Sequence, residues 1–181
     1  MTIKPIANPF PSAAACVVDE LVLELEAFDA ALCVLGQHGV ERPSDVEALV
    51  VALFDEQAVA VAAGDAEATD RSSGEIACLV AAALAVTNVC GDRWESATWS
   101  QWLSDVLDVT PLGRLGSSGW VVSGVEVKVQ FGGPNVTVVW HGSDEFVEVI
   151  GEWNGSASRL AKVPGLCEVL ASVAAAAAFR A

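Results

Sequence analysis

Apolar residues recur at three- and four-residue steps through the first half of the chain and at two-residue steps in the region that follows. The first spacing is that of one face of an α-helix, the second that of one face of a β-strand. Leu21, Leu25, Phe28, Leu32 and Leu35 make the earliest stripe, with Asp19, Glu26 and Asp29 on the other side. A helix is therefore predicted over 12–35, with Gly36 as its stop. The next helix is announced by Pro43 and by a capping box from Ser44 to Glu47; Val46, Leu49, Val50 and Leu53 form its buried face, and it ends near Ala63 before Gly64.

A further capping box, Ser72 to Glu75, opens a third helix through Ile76, Leu79, Val80, Leu84, Val86 and Val89 to Cys90. No charge lies between Glu75 and Asp92, so this segment reads as the central, covered helix of a helical layer. A fourth helix is expected from Ser96 or Thr98 to about Asp108, with Trp99, Trp102, Leu103, Val106 and Leu107 on one side and Thr110 and Pro111 ending it.

The period then changes. Beyond a glycine-rich link over 113–119, Val121, Ser123, Val125, Val127, Val129 and Phe131 alternate with Trp120, Val122, Gly124, Glu126, Lys128 and Gln130. That is the signature of a half-buried strand. Turns at 132–135 and 142–144 divide off two more strands, over 136–141 and 145–153, and a loop at 154–158 leads to a last helix from Pro164 through Leu166, Val169, Leu170 and Val173 toward Phe179. Segregated helices and strands argue an α+β fold: an N-terminal four-helix portion, a three-stranded antiparallel meander and a C-terminal helix. The expectation is a single compact domain over 1–181, its helical portion 12–110 and its sheet and last helix 117–181.

Composition narrows the chemistry. The 181 residues are 53% hydrophobic and contain no Tyr, so the chain can build a core without metal or disulfide, and phenolic acid, base or nucleophile chemistry is excluded. Residues 1–11 carry Lys4 and are broken by Pro5, Pro9 and Pro11, unlike a secretory signal, and the uncharged run 76–90 is shorter than the ~20 residues that span a bilayer. A cytoplasmic protein with no membrane partner is expected. Five cysteines without a C-x-x-C pair read as reduced, mostly buried thiols.

Charge is the least random feature. Residues 12–70 hold thirteen acids against Arg42 alone, a balance of −12 out of −15 for the chain. Such a surface repels phosphate backbones, which argues against direct binding of nucleic acid, and favours basic protein partners. Two readings follow: the acids are solvated helix faces, or they form a surface that recognises a basic protein, with Glu20, Glu24, Glu26, Asp29, Asp55 and Glu56 as contacts. Trp99 and Trp102, three residues apart, either fill the core or add an aromatic edge to that surface.

Motifs for chemistry are sparse. The pairs Asp55–Glu56 and Asp144–Glu145 point in different directions on a regular element, and no metal-binding spacing occurs. His38 and His141 lack a local partner that would make Cys33 or Cys167 a nucleophile. The glycines at 113, 116 and 119 lead from a helix to a strand, the reverse of a phosphate-binding loop. No catalytic residue, metal ligand or cofactor is assigned. The leading expectation is a non-catalytic acidic interaction module of inhibitor, immunity or chaperone type, including nucleic-acid mimicry. The alternatives are a small enzyme with a dispersed Cys/His or carboxylate site, and a homo-oligomeric structural subunit.

Overall fold

A computed structural model describes residues 13–91, 94–95, 97–117, 119–130, 135–152 and 155–178. Within them the fold is α+β, with five helices and a five-stranded antiparallel sheet. The chain divides into two compact units, one made of Met1–Leu23 with Val106–Ala181 and the other of Glu24–Asp105. Helix α1 (Ala13–Gln37) is continuous across that division.

The second unit is helical. Its part of α1 buries Leu25, Phe28, Ala31 and Leu35, the predicted stripe. Gly36 lies inside the helix, and the chain turns at Gly39 instead. Helix α2 (Pro43–Ala63) starts with Pro43 in its first turn, but its cap is not the expected Ser44 to Glu47 box. The Asp45 carboxylate accepts from the backbone N–H groups of Glu41 and Arg42, each at 3.2 Å, because Arg42 and not Ser44 is the N-cap, two residues earlier, and Asp45 occupies the third position. Gly64, left-handed at φ 72°, closes α2, and its N–H and that of Asp65 donate to Val61 and Ala60.

Helix α3 (Ala66–Cys90) starts well before the predicted Ser72, because Asp65 caps it by accepting from the Ala68 N–H at 3.0 Å. Ser72 is buried mid-helix and donates to the Ala68 carbonyl. The two-residue link makes α2 and α3 an antiparallel hairpin. Its seam holds Val46, Leu53 and Ala60 facing Ser72, Leu79 and Val86, a seven-residue repeat on each helix. The cover expected on several sides of α3 is incomplete: Leu79, Ala82 and Val86 are buried, but Val80 and Leu84 are exposed. Helix α3 is also, by length and composition, long and apolar enough to cross a membrane, and little of its apolar stretch is buried. Helix α4 (Trp99–Asp105) is shorter than predicted: Thr98 caps it, and by Leu107 the backbone N–H already donates to the Lys128 carbonyl in the sheet.

The first unit holds strands β1 (Asp108–Gly116), β2 (Gly119–Gln130), β3 (Asn135–Trp140), β4 (Phe146–Glu152) and β5 (Ser156–Lys162), ordered β1-β2-β3-β4-β5, and helix α5 (Pro164–Ala178). The three-stranded expectation is corrected at both edges. The segment read as helix end and glycine link is β1, paired with β2 from Asp108↔Lys128 to Gly116↔Gly119; the segment read as a loop is β5, paired with β4. Helix α5 covers one face of the sheet by burying Leu166, Cys167, Leu170 and Ala174, and that face supplies Val125, Val127, Val138, Val147 and Val149. The opening turns of α1 cover β4 as well: a Cβ on Gly151 would lie 2.6 Å from Val18 Cγ2 and 3.1 Å from the Ala14 carbonyl oxygen. The expected alternation at Phe131 and Trp153 lies outside the described residues.

Candidate interaction surface

The carboxylates singled out from sequence fall on α1 and α2. In the helical unit Glu24, Asp55 and Glu56 are exposed, and Glu26 and Asp29 are half-buried. In the sheet unit Glu20 is exposed, and its neighbour Asp19 accepts from Arg159 of β5 at 2.9 Å. Asp29 serves the helical core: its Oδ1 accepts from the Trp99 indole at 2.8 Å.

Trp99 and Trp102 are 4% and 8% exposed. Their rings meet edge to face at 5.6 Å, and Trp99 meets Phe28 in the same way at 4.8 Å. Both therefore fill the core and present no aromatic edge to a partner. The reason is volume: the covered face of α1 leaves space that the many alanines of the chain cannot fill.

The α2–α3 hairpin holds the largest number of acids. From Asp45 to Glu75 it carries Asp45, Glu47, Asp55, Glu56, Asp65, Glu67, Asp70 and Glu75, and its one base, Arg71, pairs with Glu67 at 3.0 Å. Exposed apolar residues lie among these acids on α2, at Val51, Phe54 and Val61, and in the uncharged half of α3, at Val80 and Leu84. A shallow groove of about 270 Å³ between α1 and α3 is lined by small side chains such as Ala27, Ala31, Ala81 and Ala85. It offers contact area without a polar group to orient a ligand.

On the open face of the sheet, register brings together a trio that the sequence reading missed. Val139↔Glu148 pairing sets His141 beside β4, where its Nε2 lies 3.2 Å from Glu148 Oε2, and Ser158 of β5 donates to the other carboxylate oxygen. The Ser158 hydroxyl first, then His141, hold the Glu148 carboxyl below its ordinary range. The order is wrong for nucleophilic catalysis, because the hydroxyl is bonded to the carboxylate and not to the imidazole. The signal available in sequence was the turn at 142–144, which fixes the facing positions of the two strands.

His38 lies against Glu75 at 3.9 Å, and the Cys33 thiol accepts from Gln37. Among the described residues no three His, Cys, Asp or Glu side chains converge as a metal site would require. The thiols are free, as expected, but mostly buried they are not: Cys16, Cys33 and Cys78 are exposed, Cys90 is intermediate and Cys167 alone is buried. Apolar neighbours in sequence mark a thiol as core only when the helix turns that face inward. Comparison of the chain with protein-family models, with curated proteins and with solved structures finds no match.

Proposed function

We propose that the protein is a non-catalytic interaction module whose acidic helices bind a basic surface on another protein. The observation that carries this is the hairpin's balance of eight carboxylates to one base, with Asp55 and Glu56 exposed. Exposed like charges at this density steer a cationic partner by long-range attraction and discourage other acidic surfaces. Glu24 of the same helical unit is exposed too, and Glu20, one turn before it on α1, carries the same sign of charge. Inhibitor, immunity and chaperone roles belong to this class, as does occupation of a cationic groove that otherwise holds nucleic acid, since carboxylates along a helix offer such a groove a row of negative charges. A cytoplasmic location accords with this proposal.

The test is capture on the immobilised protein at low and at high salt, beside a variant carrying Glu20→Lys, Glu24→Lys, Asp55→Lys and Glu56→Lys. A partner held by the native protein at low salt, released at high salt and absent from the variant supports the proposal. A partner held equally by both proteins at low salt overturns it.

A further inference from the structure

The seam of the α2–α3 hairpin uses Val46, Leu53 and Ala60 against Ser72, Leu79 and Val86. At 100° per residue, the position after each seam residue points to one flank, and in an antiparallel pair the flanks of the two helices coincide. Phe54 follows Leu53, Val61 follows Ala60 and Val80 follows Leu79. The Gln57 amide, which donates to Ser73, fixes the level of one helix against the other. Phe54 is 54% exposed, Val61 60%, and Leu84, farther out on the same flank, 59%. A helix pair normally buries side chains of this size, because each gains on leaving water. Here Phe54 and Val61 stand exposed close in sequence to Asp55, Glu56 and Asp65, with Val80 and Leu84 exposed on the uncharged half of the partner helix.

From this juxtaposition we infer that the flank is a docking site for a basic amphipathic helix of another protein, whose apolar face covers Phe54, Val61 and Val80 while its Lys and Arg meet the hairpin carboxylates. The charge complement selects this occupant. A second copy would set eight more carboxylates against the first eight, and like charges across an interface cost affinity. An anionic membrane surface is repelled by the same charges. Helix-in-groove recognition uses anchors at three- to four-residue spacing, which the flank can accept from an incoming helix. The inference rests on the acidic binding surface proposed above and adds the apolar half of the recognition.

The probes are a synthetic amphipathic helix with Leu on one face and Lys on the other, and its Leu/Glu counterpart. Binding to the full chain is followed by calorimetry, with circular dichroism as the folding control. Saturable one-to-one binding of the Leu/Lys helix is expected, with at least about tenfold weaker binding after Phe54→Ser with Val80→Ser, and no binding of the Leu/Glu helix. Val51→Ser with Leu84→Ser is the second pair, expected to weaken binding in the same direction should the first pair disturb folding. Equal binding of both peptides overturns the inference. So does unchanged affinity in the serine variants; loss of binding on Asp55→Lys with Glu56→Lys would then leave the acidic-surface proposal standing, and no loss there would remove both. Sedimentation showing a dimer that Phe54→Ser dissociates, or flotation with phosphatidylcholine vesicles that the same change abolishes, would give the flank to a second copy or to a membrane and overturn the inference.

Discussion

The Trp99 indole N–H donates to Asp29 Oδ1 at 2.8 Å, joining residues seventy positions apart in sequence inside the helical unit. The same ring meets Phe28 at 4.8 Å, so one side chain fastens α4 to α1 by polar and apolar contact together. Trp99→Phe keeps most of the ring contact and removes the donor, and should cost about 1–2 kcal/mol. Trp99→Ala should cost about 3–5 kcal/mol. Urea denaturation measures both, and equal losses would show that the hydrogen bond contributes nothing.

Gly151 is fixed by contact with α1. A methyl group there would overlap Val18 and press on the Ala14 carbonyl, so Gly151→Ala should destabilise the sheet unit by about 1–3 kcal/mol. The cost of Gly151→Ala should be smaller in a Val18→Ala background, because that change removes the closer of the two contacts. An equal cost of Gly151→Ala with and without Val18→Ala would place the strain at the backbone of Ala14.

Thiol labelling should separate the cysteines by environment. Cys16, Cys33 and Cys78 should react readily with an alkylating reagent, and Cys167 only on unfolding. Cys90 should lag the exposed three, because burial first and the Asp105 charge second push its thiol pKa up and thin the reactive thiolate. Mass mapping of a labelling time course checks the order.

Acid should weaken the open face of the sheet through Glu148. Its folded pKa is lowered by Ser158 and His141, so its contribution is present above the ordinary Glu value, ~4.3, and is lost as pH falls through the folded value. Glu148→Gln should flatten the stability profile below about pH 4 while changing little between pH 6 and 8. Thermal melts across that range test it, and parallel acid profiles for the two proteins would refute it.

Cooperativity should depend on α1, which runs unbroken from one compact unit into the other. The native protein is expected to melt in one transition. Leu23→Pro changes an exposed side chain but removes a helix hydrogen bond at the division, at a cost of ~3 kcal/mol. It should split the transition in two, as calorimetry would record; a native protein with two resolved transitions would contradict the expectation.

Helix α1 and helix α5 were legible because each carries its own apolar stripe: Leu25, Phe28 and Leu35 in one, Leu166 and Leu170 in the other. Strands β3 and β4 were legible for a similar reason, as valines bounded by turns. Strand β1 was hidden by Pro111, Gly113 and Gly116, residues that normally interrupt a strand. At a sheet edge they are tolerated, because one side of the strand needs no hydrogen-bonding partner. Strand β5, with Ser156, Ser158 and Arg159, has little strand propensity of its own and is held by its ladder with β4. The acidic residues of the candidate surface were legible as composition; the assignment of Asp29 and Trp99 to the core was not, since their bond spans seventy positions.

By itself the sequence determined the α+β class, the turn at 142–144 between two central strands, and the concentration of negative charge between residues 12 and 70. These follow from local periodicity and from counting, which need no knowledge of distant contacts. Tertiary structure alone decided that Asp65 and not Ser72 starts α3, that two more strands complete the sheet, and that Phe54, Val61 and Val80 face water while Trp99 and Trp102 do not. Hydrophobicity sets what a side chain gains on leaving water, but which side chains leave depends on which surfaces of the folded chain are there to receive them.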